Sequence, residues 1–99
     1  MEIKPKVVER LVRYAAIDTQ SKEEELRVPS TEKQFTLARL LVEELRELGV
    51  REVRLDEEHG YVYATVPATL PPAEAAAVPA VGFIAHLDTS PSVSGTGVR

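Results

Sequence analysis

Ala80-Val81-Gly82-Phe83-Ile84-Ala85-His86-Leu87-Asp88-Thr89-Ser90-Pro91 decides how this chain is read. Residues 80–85 are apolar without a break. A short unbroken apolar run suits a strand buried on both faces of a covered α/β sheet. Side chains alternate along a strand, so His86 and Asp88 are expected to point the same way. They fall where the strand gives out, and open α/β sheets bind ligands outside the carboxyl ends of their strands. An imidazole with a carboxylate beside it makes a metal ligand with a supporting partner. A plainer reading is a strand-end histidine bonded to a nearby carboxylate; spacing alone favours it, and the position at a buried strand's end brings the two readings level.

Upstream of this stretch the pattern is helix, helix, hairpin. Val7, Val8, Leu11, Val12 and Ala15 recur at helical spacing and predict a helix over 4–16, with Pro5 in its first turn and Glu9 and Arg13 as an i,i+4 pair. A polar loop follows from Asp18 and ends near Val28-Pro29. Thr31 and Gln34 have the spacing of a capping box, with Ser30 as an alternative cap. The helix they introduce carries Phe35, Leu37, Ala38, Leu41, Val42, Leu45 and Leu48 on one wide apolar stripe, and Gly49 is placed to end it. Residues 50–55 and 61–66 read as strands around the turn Asp56-Glu57-Glu58-His59-Gly60, and so as an antiparallel hairpin. Residues 67–79 read as a proline- and alanine-rich loop, and residues 92–99 show no regular pattern.

The 99 residues suffice for one small domain. With 43% hydrophobic and 28% charged residues the chain has the composition of a folded protein. A net charge of −4 without any basic stripe argues against nucleic-acid binding. The absence of cysteine removes disulfides, thiolate nucleophiles and cysteine-type zinc sites. The first residues lack the apolar core of a signal peptide, and no stretch is long and apolar enough to span a bilayer, so no membrane partner and a cytoplasmic location are expected. One hairpin and two helices supply only part of the cover that a buried strand needs. The chain therefore reads as the opening of a larger α/β domain, and Arg99 is not expected to be a domain end.

Other candidate sites have ordinary explanations. His59 lies in an acidic turn and reads as a solvated histidine. Glu23-Glu24-Glu25 reads as a solvated loop. Ser90 lacks the Gly-x-Ser-x-Gly setting of a nucleophile elbow. Asp18 and Ser21 read as turn or capping residues. Tyr61 and Tyr63 share one strand face, where packing accounts for them. Gly95 and Gly97 form no phosphate loop, because no Gly-Lys-Ser/Thr follows.

Three blocks taken together are more specific than any of these. Ile17-Asp18-Thr19-Gln20-Ser21, Val28-Pro29-Ser30-Thr31-Glu32 and the stretch from Pro79 to Pro91 appear in that order. In this arrangement the chain closely resembles the start of the peptidase T family, the tripeptide aminopeptidases within zinc metallopeptidase family M20. The resemblance covers essentially the whole chain. It implies a three-layer α/β/α catalytic domain with a mixed sheet, of which residues 1–99 would be the N-terminal portion. It further implies two zinc ions that activate a bridging water for attack on the carbonyl beside the substrate's N-terminal residue. By the same resemblance His86 is a zinc ligand and Asp88 the catalytic aspartate that supports it. Tripeptides are the implied substrate, and the full-length protein could form a homodimer.

In that family the bridging aspartate, the general-base glutamate and the remaining metal ligands lie further along the chain. Residues 1–99 alone are therefore expected to be inactive and to bind zinc weakly, since a zinc site takes three or four protein ligands. Two alternatives stand beside this reading. One is a non-catalytic module that binds a partner through an open sheet edge. The other is a different family member, such as a dipeptidase or deacylase.

Overall fold

The computed structural model describes residues 4–97. Met1–Ile3 and the expected domain interruption at Arg99 lie outside the described residues. Helix α1 (Lys4–Ala15) is followed by helix α2 (Gln34–Glu47), strands β1 (Arg51–Asp56) and β2 (Tyr61–Thr65), and a single helical turn α3 (Pro72–Ala75).

The centre of the molecule is α2 laid across the β1–β2 hairpin. Its stripe buries Phe35, Leu37, Ala38 and Val42, and these form the apolar core. The expected glycine stop is present as a Schellman motif. Gly49 adopts φ +81°, its N–H donates to the Arg46 carbonyl, and the Val50 N–H donates to the Leu45 carbonyl. The start of α2 differs from the expectation. Lys33 is the N-cap residue and no side chain caps the helix. Thr31 and Gln34 do meet, with Gln34 Nε2 donating to Thr31 Oγ1 at 2.9 Å, but Thr31 Oγ1 is turned toward the Gln20 carbonyl and takes no part in capping.

The hairpin forms where the alternation places it. Asp56 pairs with Tyr61, Leu55 with Val62 and Arg54 with Tyr63, with a bulge between Arg51 and Arg54. Asp56 Oδ1 accepts from the N–H groups of Glu58 and His59, and Gly60 closes the turn at φ +73°. Tyr61 and Tyr63 meet edge to face on one side of β2, and the Arg54 guanidinium lies 4.3 Å over the Tyr63 ring.

Two further expectations are corrected. Helix α1 forms, but its apolar face stays in solvent, with Val7, Val8, Leu11 and Val12 each more than half exposed. Arg13 does not pair with Glu9; it reaches across to Glu44 of α2. The second correction is larger. Residues 80–85 are neither buried nor a strand: Phe83 is 96% and Ile84 101% exposed. Among the described residues the sheet has two strands only, and no backbone group of residues 80–88 finds a partner there. A lone extended segment leaves its N–H and C=O groups to water and does not count as a strand, whatever its propensity. The chain thus has an α/β character, with two main helices and an antiparallel hairpin.

Candidate functional site

Thr89 is where the segment carrying His86 and Asp88 is held. The Thr89 N–H donates to the Thr19 carbonyl at 3.1 Å, and the Ser21 N–H donates to the Thr89 carbonyl at 3.0 Å. These two bonds make one parallel bridge between Gln20 and Thr89. Ser21 Oγ donates to the same Thr89 carbonyl at 2.8 Å, and Gln20 Nε2 donates to the Pro91 carbonyl at 3.0 Å. Immediately before this bridge, His86 Nδ1 lies 3.1 Å from Asp88 Oδ1. The two side chains therefore meet as the alternation implied, although the backbone between them is not a strand. An ionised carboxylate only accepts hydrogen bonds, so in the neutral ring this contact selects the Nδ1–H tautomer, with the lone pair on Nε2. The His86 ring is largely exposed and Asp88 is less so.

The loop on the other side of the bridge is organised by Asp18. Its Oδ1 accepts from the Gln20 N–H at 3.1 Å, an Asx turn. Its Oδ2 accepts from Lys33 Nζ at 2.9 Å and from Thr96 Oγ1 at 3.0 Å. The Lys33 ammonium first, then the Gln20 N–H, holds the Asp18 carboxyl below the usual carboxylate range; partial desolvation opposes this. Thr31 Oγ1 donates to the Gln20 carbonyl at 2.7 Å, and the Lys22 N–H donates to Ser30 Oγ at 2.9 Å. Thr19 is buried at 2% exposure. The turn role expected of Asp18 holds and is only part of what it does. The organising roles of Gln20, Thr31, Thr89 and Thr96 were not read from the sequence. The one signal for Gln20, Thr31 and Thr89 was the clustering of short hydroxyl and amide side chains in the same blocks that carry the family resemblance; Thr96 lies outside those blocks and left none.

A cleft of about 760 Å³ opens beside this knot. It is lined by the 83–88 segment with His86 and Asp88, by the loop of residues 25–30, and by the turn and β2 residues His59, Tyr61 and Tyr63. His59 is a turn histidine as expected, with Nδ1 2.9 Å from Asp56 Oδ2. That carboxylate holds the imidazolium and raises the His59 pKa. Among the described residues no three His, Cys, Asp or Glu side chains are grouped so as to hold a metal ion. No helix among them is long and apolar enough to cross a membrane.

The chain that carries these three blocks is similar to known proteins over nearly its whole length. Three such relatives are peptidases, and each bears the name Peptidase T. The chain is 58% identical over 93 residues to Peptidase T of Desulfitobacterium hafniense, covering 94% of this chain and 21% of that protein. It is 53% identical over 94 residues to Peptidase T of Halothermothrix orenii, covering 95% and 22%. It is 49% identical over 97 residues to Peptidase T of Geobacillus thermodenitrificans, covering 98% and 22%. The chain is thus a stretch of peptidase T-like sequence and spans about a fifth of the length of the curated relatives it matches. No family model matches it.

Proposed function

We propose that this chain is the N-terminal portion of the catalytic domain of a zinc-dependent tripeptide aminopeptidase of family M20, with the three-layer α/β/α architecture of that family and a cytoplasmic location. The observation that carries the reading is the His86–Asp88 pair, seated on the 18–21 block within a sequence shared at 46–58% identity with proteins named Peptidase T. The donor chemistry fits one position of a zinc site. Zinc takes neutral imidazole nitrogen, and the exposed Nε2 of His86 is the nitrogen that Asp88 leaves free.

In this reading His86 binds the metal through Nε2. Asp88 holds the Nδ1 proton, fixes the ring's orientation and raises its basicity. When bound, zinc supplies a water activated for attack on a peptide carbonyl. One histidine does not complete such a site, so the 99 residues alone are inactive toward tripeptides and bind zinc weakly.

The test is a chimera in which residues 1–99 replace the matching stretch of the Desulfitobacterium hafniense Peptidase T. The chimera is expected to hydrolyse tripeptides and to lose activity to a chelator. His86→Ala should abolish that activity, and Asp88→Asn should lower it about 10- to 100-fold, the range typical of partners behind a metal ligand. Full activity in the His86→Ala chimera would sink the proposal.

A further inference from the structure

Three segments far apart in the sequence converge on the Asp18 carboxylate: its own turn through the Gln20 N–H, the residue entering α2 through Lys33 Nζ, and the 94–97 turn through Thr96 Oγ1. The convergence is close. A Cβ on Gly95 would stand 2.9 Å from Asp18 Oδ1, so the 94–97 turn rests directly against the carboxylate. Directly after Asp18, the backbone of residues 19–21 makes the one backbone bridge that holds Thr89 among the described residues. Thr89 is in turn one residue from Asp88 and three from His86. The 80–88 segment has no backbone partner of its own among the described residues. The placement of His86 and Asp88 therefore depends on a seat that they do not make themselves.

We propose that Asp18 is the positioning residue of the His86–Asp88 pair, clamping the 18–21 turn against α2 and the 94–97 turn so that Thr89 can occupy only one register. The proposal rests on the reading of His86 and Asp88 as the functional pair. Asp18 touches neither side chain and acts through the backbone of residues 19–21 and 89. Its arms are not equivalent. The Gln20 N–H bond shapes the turn, whereas Lys33 and Thr96 fix the turn to the rest of the molecule. Removing the carboxylate releases all three, and hydrogen bonds to a charged acceptor are among the stronger ones.

The experiment compares the 15N-labelled chain with its Asp18→Ala and Thr96→Val variants by NMR. It reads the hydrogen-exchange protection of the Ser21 and Thr89 amides, the protection of the β1 and β2 amides, and the tautomer of the His86 ring. For Asp18→Ala the Ser21 and Thr89 protection is expected to fall about tenfold or more, while the hairpin keeps its own. The His86 ring should pass from the Nδ1–H form to a mixture of tautomers as Asp88 is released. Thr96→Val, which removes one arm, should move both readouts the same way by less, and it decides the matter if Asp18→Ala does not fold. Unchanged Ser21 and Thr89 protection would overturn the proposal. So would a fall shared equally by the hairpin, or a His86 tautomer that persists after the bridge is lost. None of these readouts needs a metal or a substrate, so the proposal and the peptidase reading fail separately.

Discussion

Gly95 and Gly82 differ in what surrounds them, and the difference is measurable. Neither needs a positive φ, so alanine suits the backbone of both, and it lowers the entropy of the unfolded chain by about 0.4–1 kcal/mol in favour of folding. At Gly82 a Cβ would meet nothing within 4 Å. At Gly95 it would stand 2.9 Å from Asp18 Oδ1 and 3.5 Å from the Asp18 Cα. The carboxylate cannot yield without giving up Lys33, Thr96 or the Gln20 N–H. Crowding of this kind typically costs about 1–3 kcal/mol, which outweighs the entropic gain. Gly95→Ala should therefore lower the urea midpoint, and Gly82→Ala should leave it unchanged or raise it. A Gly95→Ala chain as stable as the parent would mean that the carboxylate is not held. The sequence pointed to neither outcome, because Gly95 lies in a tail without periodicity and its neighbour Asp18 is far away along the chain.

The hairpin is the element with its own response to pH. His59 and Asp56 hold each other across the turn at 2.9 Å. Asp56 is lowered, first by His59, so its contribution is present above the ordinary carboxylate value and is lost as pH falls through the folded value. His59 is raised, first by Asp56, so its contribution is complete below its ordinary value of about 6.5 and fades as pH rises through the folded value. The turn is accordingly expected to be firmest between about pH 4 and 6.5. Protection of the Gly60 amide, corrected for intrinsic exchange, should decline above that window, and His59→Gln should remove the decline. A corrected profile flat from about pH 5 to 8 in the parent would contradict this. This element was legible in the sequence, as were α2 and its glycine stop, because their contacts are local and the residues that make them are neighbours along the chain. The 80–85 run was misread for the opposite reason. Its apolar character is real, but a strand is a relation between two backbones, and a propensity carries no information about whether the second is there. His86 and Asp88 could be paired from their spacing; the Asp18 knot that seats them is assembled from distant residues and left no periodic trace.

At the scale of the whole molecule the surface is more apolar than the core requires. Phe83 and Ile84 are fully exposed, and the face of α1 adds Leu11 and Val12. Large apolar side chains left open to water bind dyes and promote association. The isolated chain should bind a hydrophobic dye and associate at high concentration, and the double variant Phe83→Ser/Ile84→Ser should reduce both without altering the α2–hairpin signals. A parent chain that stays monomeric and binds no dye would count against this. The bridge at Thr89 has a consequence for the order in which the molecule assembles. Its Ser21–Thr89 hydrogen bond joins residues 68 apart, whereas the hairpin turn joins Asp56 to Tyr61. Closing a loop of that length costs about 4 kcal/mol in chain entropy, more than two backbone hydrogen bonds return by themselves. Nucleation therefore belongs to the hairpin and α2, and the strap across Thr89 fastens last and loosens first. Substitutions at the Asp18 knot act after the rate-limiting barrier: they hasten unfolding and leave the folding rate nearly as it was.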